Sequence, residues 1–357
     1  MNYLISRISQ GFFSLFGVAS LVFFMFSVLP GDPAEMMLDK NQTSEQIEIL
    51  KNKYGFNLPL LDQYFFYLND LSPLSIHSNI KNEFSYYNKE LYGGISLFEF
   101  RKKVIVLKYP YLRTSYQRRG KTISSILYET LPNTAILALS SMIVAVFGGF
   151  FFGITATLFR DHWIDRFLTL FSSLGMSVPS FFSAILFSWF FGYLLHSYTN
   201  LNMTGSLYEL DDFGEKYNIV IKNLLLPSIV LGIRPLAIIT QLVRNNLIDV
   251  LSQDYIKTAL SKGLTKYEVI FKHALRNSIN PVITAISGWF ASLLAGAIFV
   301  EYIFGWKGLG KEIVGALNNL DIPVVMGSVL VIALMFIIIN IVVDLIYIYL
   351  DPRIKIY

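Results

Sequence analysis

The chain of 357 residues is 54% hydrophobic and only 15% charged, and its formal net charge is +4. Soluble domains carry about 25% charged residues, so this composition argues against a cytosolic globular protein. Its high hydrophobicity also excludes an intrinsically disordered chain. The absence of cysteine excludes a disulfide scaffold, a zinc ribbon, an iron–sulfur site and a cysteine nucleophile. The positive charge is too small and too scattered to indicate nucleic-acid binding, and a membrane protein is the class that remains.

Six apolar runs are long enough to form transmembrane helices, each of which needs about 20 residues to cross a bilayer core of roughly 30 Å. The predicted spans are approximately 11–29, 131–159, 168–195, 224–243, 282–304 and 324–350. The first run is longer than the apolar region of a secretion signal and has no convincing cleavage site, so we predict a retained helix. The predicted fold class is an all-α membrane protein with six transmembrane helices.

The distribution of Lys and Arg predicts the orientation of the chain, because these residues are enriched in cytoplasmic loops. The loop at 244–281 carries six of them, which are Arg244, Lys257, Lys262, Lys266, Lys272 and Arg276. We therefore predict that this loop and both termini are cytoplasmic. The predicted organisation is a first helix at 1–30, an external region at 31–121, a transmembrane domain at 122–350 and a cytoplasmic tail at 351–357.

We expect short helices and irregular backbone in the external region. A cover over the outer mouth of a pathway and a docking surface for a delivering protein both fit a region of this size.

Two short amphipathic helices joined at a glycine are predicted in the loop at 244–281, because apolar residues recur there at helical spacing. They are Tyr255, Ile256, Ala259 and Leu260 before Gly263, and Ile270, Phe271, Ala274 and Leu275 after it. Glycine is the residue that a helix C-cap favours. Such a pair fits a groove on a partner protein or a layer of anionic lipid headgroups, and composition favours the two about evenly.

This loop resembles the cytoplasmic signature of ABC importer permeases, which reads Glu-Ala-Ala, three residues, Gly, nine residues and Ile-x-Leu-Pro. Ala259, Gly263 and Leu275 stand at matching positions. The residues that depart from the pattern are Lys257, Thr258, His273 and Arg276. The segment His273–Asn277 resembles the version found in the dipeptide/oligopeptide/nickel branch.

Further segments along nearly the whole chain look like the same branch. They are Leu29–Pro33, Tyr54–Leu60, Leu131–Thr134, Ser177–Phe181, Glu301–Gly310 and Tyr349–Arg353. A stretch at about 71–108 is enlarged and has no counterpart that we can place in the family.

The resemblance implies a type I ABC importer permease fold and a role in the ATP-driven import of dipeptides or oligopeptides across a bacterial cytoplasmic (inner) membrane. The implied partners are a second, homologous permease that forms a heterodimer with this chain, two cytoplasmic ABC ATPases and an external substrate-binding protein. The chain would have no catalytic residue and no cofactor of its own, since ATP and Mg would bind to the ATPases. The residues that the resemblance places at the ATPase are Tyr255, Ala259, Gly263, Leu264, His273, Leu275, Arg276 and Asn277.

Other functions stay open from the sequence. A nickel-chelate importer has nearly the same permease architecture. An ion-coupled secondary transporter would usually have inverted repeats, and an intramembrane enzyme would need a pair of catalytic groups, neither of which is visible in the sequence.

Arg234 and Glu301 lie within the fourth and fifth predicted spans. A charge at the bilayer centre costs roughly 2.5–3.5 kcal/mol on insertion scales, so such residues face the protein interior or a wet cavity. Arg234 either meets a peptide carboxylate along the translocation path or forms a structural ion pair with Glu301. Asn340 and Asp344 in the sixth span are predicted to hydrogen-bond to neighbouring helices, with a proton relay as the alternative.

Three further motifs carry structural predictions. Gly305–Glu312 approaches a phosphate-binding loop, but Glu312 stands where Ser or Thr must bind Mg²⁺, so nucleotide binding is not expected. Gly149 and Gly153 predict close helix approach, and Pro179 predicts a kink in the third span.

Overall fold

The computed structural model describes residues 2–28, 34, 37, 43–81, 83–118, 120–211 and 213–350. The chain forms two compact units. The first unit comprises Met1–Glu129 and Gly315–Ala333, and the second comprises Thr130–Val314 and Leu334–Tyr357. The predicted tail at 351–357 and the family-like segment Leu29–Pro33 lie outside the described residues.

The first unit begins with helices and a small sheet. The helices are α1 (Asn2–Ser27), α2 (Ser44–Tyr54), α3 (Leu60–Leu71) and α4 (Lys89–Tyr92), and the strands are β1 (Leu74–Ser78), β2 (Ile95–Phe100) and β3 (Lys103–Leu107). Thr43 and Gln46 form a capping box at the start of α2, and Gly55 ends this helix with a left-handed φ of 72°.

The strands β1, β3 and β2 form an antiparallel sheet in that order. Ile76 pairs with Ile105, and Ile105 pairs with Phe98. The predicted short helices are therefore confirmed, but the prediction of irregular backbone for the rest of the external region was wrong here. Polar residues hid the strand pattern, because Ser75 and His77 of β1 point inward and are buried.

After the external region the chain is mainly helical. The elements are α5 (Ile123–Leu158), α6 (Trp163–Ser177), α7 (Ser180–Phe187), a π-helical segment (Ser188–Leu194), α8 (His196–Thr199), β4 (Tyr208–Leu210), β5 (Tyr217–Ile219), α9 (Lys222–Leu251), α10 (Asp254–Ser261), α11 (Lys266–Glu268), a second π-helical segment (Val269–Ala274), α12 (Leu275–Phe304), α13 (Leu309–Asn318) and α14 (Ile322–Leu350).

Five helical stretches of the described chain are long and apolar enough to cross a membrane, and a bent pair of helices makes a sixth span if it is counted as one. The five stretches are Ile5–Ser27, Ile123–Leu158, Lys222–Leu251, Lys266–Phe304 and Ile322–Leu345. They correspond to all the predicted spans except the third, which corresponds to the bent pair.

The third predicted span is not one straight helix. The helix axes before and after the break at Val178–Pro179 differ by 108°. Proline lacks a backbone N–H and disfavours a helical conformation in the residue before it, and Val178 is extended with ψ at 128°. The kink predicted at Pro179 is thus confirmed, and it is a full break between two helices.

The fourth and fifth spans extend further than their apolar runs. Helix α9 continues eight residues beyond Val243 to Leu251, and the fifth helical stretch begins at Lys266 rather than at Val282. Polar residues end an apolar run without ending a helix, because long polar side chains lose little rotamer freedom in a solvated helix. Most of the predicted loop at 244–281 is therefore helical.

Helices α5 and α9 approach each other closely in the second unit. A Cβ atom on Gly149 would lie 2.6 Å from Ile239 Cγ2, and one on Gly153 would lie 2.7 Å from Val243 Cβ. Any larger residue at these two positions would push the helices apart. The close approach predicted from this pair of glycines is confirmed.

Candidate coupling site

The turn between α10 and the fifth helical stretch is built around Gly263. Its φ is +85°, and its N–H donates to Leu260 O at 3.0 Å while Leu264 N–H donates to Ala259 O at 3.4 Å. This pair of bonds is the Schellman motif that ends a helix at a left-handed residue. The predicted helix, glycine and second helix are thus present in the structure.

The second helix is not separate, which corrects the expectation of two short helices. It starts at Lys266 and continues without a break through α11, the π-helical segment and α12. Thr265 and Glu268 form a capping box at its start, with Thr265 Oγ1 accepting from Glu268 N–H at 3.3 Å. The spacing Thr-x-x-Glu is readable in the sequence and would have placed the helix start correctly.

The predicted apolar stripes divide into a buried and an exposed part. Ile256 and Ala259 of α10, and Ile270 and Ala274 of the second helix, are buried and hold the two helices to the second unit. The exposed part comprises Tyr255, Leu260 and Phe271, and Tyr267, which lies outside the predicted stripes, is exposed as well. About 45% of Tyr255 and 47% of Leu260 are accessible, so α10 has an open surface.

Side-chain hydrogen bonds fix α10 against the start of the fifth stretch. Asn277 Nδ2 donates to the Tyr255 hydroxyl at 2.9 Å and to His273 O at 3.2 Å. Lys266 Nζ donates to Leu158 O at 3.0 Å, which links the same helix start to the end of α5. Three of the predicted residues, Tyr255, His273 and Asn277, therefore meet in one place.

The other predicted residues of this site surround the turn. Leu264 and Leu275 are half-buried against the apolar core of the second unit, while Arg276 is exposed. The buried members hold the helix pair in place, and the exposed ones form the accessible part of the site.

An ion pair that the sequence analysis missed connects α6 with the end of α9. Arg244 Nε lies 2.5 Å from Asp165 Oδ1, and its NH2 group donates to Asp165 Oδ2 at 2.7 Å. Asp165 also accepts from the N–H of Asp161 at 3.2 Å. Nothing in the local sequence pairs these residues, because they are separated by 79 positions.

Arg234 and Glu301 do not form the ion pair that was one alternative for them. The Arg234 guanidinium is exposed and lies 5.7 Å from the centroid of the Trp289 ring, a cation–π arrangement. Glu301 is buried, and its Oε2 accepts from the Gly310 N–H at 2.6 Å. Within the described residues, Arg234 therefore keeps an uncompensated charge that faces out of the single chain.

The glycine-rich segment after Glu301 is a structural turn that closes around this carboxylate. Trp306 Nε1 donates to Asn133 O at 3.0 Å, Asn133 Nδ2 donates to Lys307 O at 2.7 Å, and Leu309 N–H donates to Thr134 Oγ1 at 2.8 Å. Gly308 has no room for a Cβ because the Glu301 carboxylate lies against it. The geometry explains why this segment is rich in glycine without any nucleotide.

Asn340 and Asp344 were predicted to bond to neighbouring helices. Asn340 Nδ2 instead donates to Phe336 O at 2.8 Å, one turn back on its own helix α14. This contact satisfies the amide within the helix and gives no support for a proton relay through Asn340.

Comparison with known proteins places the chain in a family. The model of the binding-protein-dependent transport system inner membrane component matches residues 149–356, and the model of the N-terminal part of such components matches residues 1–78. The dipeptide transport system permease protein DppB of Alkalihalophilus pseudofirmus is 32% identical over 96% of this chain and 95% of its own length.

Two further relatives cover nearly the full length of both chains. The oligopeptide transport system permease protein AppB of Bacillus subtilis is 31% identical over 99% of each chain, and the glutathione transport system permease protein GsiC of Escherichia coli is 30% identical over 99% of each chain. These matches cover the whole chain, including the first unit.

The fold is also that of a solved transporter. A chain of the MetNI methionine ABC transporter in an inward-facing conformation superimposes with a TM-score of 0.51 at 13% identity, covering 64% of this chain and 98% of that one. This likeness confirms the predicted multi-span type I permease fold. The chain therefore belongs to the family of binding-protein-dependent transport system inner membrane components.

Proposed function

We propose that this chain is the permease subunit of an ATP-driven importer of short peptides in a bacterial inner membrane. The observation that carries the proposal is the full-length similarity to permeases named for dipeptides, oligopeptides and glutathione, all of which are peptides. A nickel-chelate importer is the weaker alternative, because none of these three relatives is named for nickel.

The proposed partners are an external substrate-binding protein, two cytoplasmic ABC ATPases and a second, homologous permease. The family description itself includes dependence on a binding protein. The ATPases would bind ATP and Mg, and this chain would serve as a permease subunit without an ATPase site. In this arrangement the turn at Gly263 lies in the cytoplasm.

We propose that the exposed surface of Tyr255, Leu260, Tyr267 and Phe271 lies in a groove of one ATPase, as an apolar helix face does in a partner protein. When the ATPases close on ATP, they would move α10. Because α10 is bonded to Asn277 and the fifth stretch runs unbroken from Lys266 to Phe304, this movement would pass directly into a membrane helix.

Replacement of Gly263 tests the proposed coupling between ATP hydrolysis and peptide uptake. No atom lies within 4 Å of a Cβ placed on Gly263, so a substitution acts through the backbone alone. A β-branched residue at φ +85° costs about 1–2 kcal/mol, which shifts the equilibrium away from the functional conformation by roughly 5–30-fold. We expect Gly263→Val to reduce peptide uptake by up to this factor while the assembled complex still hydrolyses ATP.

Gly263→Asn is the matched control, because asparagine tolerates the left-handed conformation, and it should retain most of the uptake. Both activities are measured on the reconstituted complex in proteoliposomes. Normal uptake and normal coupling in Gly263→Val would contradict the proposed role of the turn.

We propose that Arg234 meets the carboxylate of the peptide on the translocation path. Its exposed guanidinium on the Trp289 ring supports this role, because the cation remains available to an anion. Arg234→Gln should slow the uptake of a free tripeptide and leave the uptake of its C-terminal amide unchanged. Arg234→Lys should keep the preference of the wild type for the free tripeptide over the amide. Equal slowing of both peptides in Arg234→Gln would assign the residue a structural role.

Copurification separates this proposal from a secondary transporter. We expect gently solubilised membranes to yield a second permease and P-loop ATPases with the tagged chain. Ion-driven uptake into liposomes by the purified chain alone, without ATP, would overturn the proposal.

A further inference from the structure

One face of the external sheet is apolar and exposed, which reverses the usual arrangement of an antiparallel sheet. The pairing places seven apolar side chains on this face, namely Leu74, Ile76, Ile95, Phe98, Phe100, Ile105 and Leu107. On β1 and β3 the opposite face is buried and carries the polar residues Ser75 and His77 beside Val104 and Val106, whereas β2 is exposed on both faces. We call the exposed set the outer sheet face.

A bulge in β2 helps to form this face. The register shifts between Ser96 and Phe98, so that Phe98 rather than Leu97 stands opposite Ile105. Phe98 and Phe100 consequently both lie on the outer sheet face, with 71% and 72% of their side chains exposed. A contiguous apolar patch that is exposed outside the membrane helices marks a contact with a membrane or with a partner.

The sheet is attached to a helix that packs on the first membrane span. The Tyr64 hydroxyl of α3 lies 2.6 Å from Ser20 Oγ of α1, and the Tyr64 ring lies 4.9 Å from the Phe24 ring. Ser20 is seven residues before the end of α1, about 10 Å along the helix axis. Helix α3 therefore lies beside a part of α1 that is apolar enough to be in the bilayer.

The connection from α3 to the sheet is direct. Asn69 Oδ1 accepts from Ile76 N–H at 2.8 Å, and Asn69 Nδ2 donates to Ile76 O at 3.0 Å. Leu61 and Phe65, one helical turn apart on α3, are exposed as well. The apolar surface of α1 thus continues through α3 to the sheet within the first unit.

The turn at the far end of the outer sheet face is basic. Arg101, Lys102 and Lys103 follow one another there and are exposed, and the Arg101 guanidinium lies 6.0 Å from the centroid of the Phe100 ring. Glu99 is the acidic residue beside them, and it stands on the other face of β2. Aromatic side chains next to a cluster of Lys and Arg are the composition that binds at the interface of an anionic membrane.

We propose that the outer sheet face rests in the outer leaflet of the membrane and that Arg101, Lys102 and Lys103 bind anionic phospholipid headgroups. A lipid surface fits better than a protein because it supplies an apolar layer and anionic groups together, and because it already surrounds α1. This contact is independent of the peptide substrate and of the ATPases. It would hold the external region in a fixed position above the first span.

The cysteine-free chain makes a direct test possible. Phe98→Cys and Glu99→Cys, on opposite faces of one exposed strand, are each labelled with a fluorophore in the full chain. The chain is then reconstituted into phosphatidylcholine vesicles that contain phosphatidylglycerol and lipids with a quencher in the acyl chain. We expect the quencher lipids to reduce the fluorescence at position 98 at least about twofold more than at position 99.

Two further measurements complete the test. Aqueous iodide should quench position 99 more than position 98, and the combined variant Arg101→Ser, Lys102→Ser, Lys103→Ser should weaken the lipid quenching at position 98. Equal quenching at both positions by lipid and by iodide would overturn the proposal. If position 98 is protected from iodide only after a binding protein or a second permease is added, the proposal is overturned in favour of a protein interface.

Discussion

A buried imidazole makes the external region sensitive to pH. His77 is 2% exposed, its Nε2 lies 3.0 Å from Ser75 Oγ, and its ring centroid lies 4.4 Å from that of Tyr92. Burial, and next the charge of Lys108, lower the pKa of His77 from its ordinary 6.5 to about 4. The folded protein therefore favours the neutral form of the His77 imidazole over the protonated form.

We expect the external region to lose stability as the pH falls from about 6.5 to about 4. In this interval the unfolded chain binds a proton at His77 and the folded chain does not, so the contribution is complete above the unfolded pKa and is lost on acidification. The loss approaches roughly 3 kcal/mol at 1.36 kcal/mol per pKa unit. Hydrogen-exchange protection factors of β1 and β3 measure it.

His77→Gln should remove this part of the pH dependence, whatever its effect on stability at neutral pH. The same slope between pH 4 and 6.5 in wild type and variant would assign the acid sensitivity to other groups.

An ion pair links two packed helices of the second unit. Asp165 at the start of α6 accepts two bonds from Arg244 near the end of α9. The side chain of Asp165 is 5% exposed and that of Arg244 is 23% exposed. Removing the Asp165 charge leaves the half-buried Arg244 guanidinium without its carboxylate, and the loss of a charge partner in a partly desolvated site is destabilising.

We predict that Asp165→Asn lowers the free energy of unfolding by roughly 2–4 kcal/mol. Thermal unfolding in detergent measures the effect. Asp161→Asn is the matched control, because the Asp161 side chain is 87% exposed and asparagine tolerates its φ of +67°. If the two variants unfold at the same temperature, the pair contributes no more than a surface contact does.

The apolar periodicity predicts the presence of the membrane helices well and their ends poorly. Hydrophobic runs reveal burial in lipid, whereas the extension of α9 to Leu251 contains polar residues that a helix tolerates and that an apolar run does not include. The break at Pro179 and the cap at Gly263 could be predicted because each follows from the backbone of one residue. The sheet escaped prediction because the polar residues Ser75 and His77 of β1 point inward while Leu74 and Ile76 point outward. The bond from Asn277 to Tyr255 joins residues that only the folded chain brings together.

At the scale of the whole molecule, the distribution of basic residues predicts which ends of the helices face the cytoplasm. The turn at Gly263 carries exposed lysines, and the external region contains Tyr109 with 91% of its side chain exposed. These two places should lie on opposite sides of the membrane.

We expect a membrane-impermeant maleimide to label Tyr109→Cys in intact cells and to label Lys262→Cys only after permeabilisation. The parent chain has no cysteine and serves as the blank. Labelling of Lys262→Cys in intact cells would reverse the predicted orientation.

The turn that closes on Glu301 also sets an order of events during synthesis. Asn133 precedes its partner Lys307 by 174 residues, and Thr134 precedes Leu309 by 175. At roughly 5–20 residues per second, the ribosome needs about 9–35 s to supply these partners. For most of that time α5 is complete, yet the bonds that fix Asn133 and Thr134 do not exist. A nascent chain released before residue 306 would therefore keep this part of α5 open to the insertion machinery and to proteases.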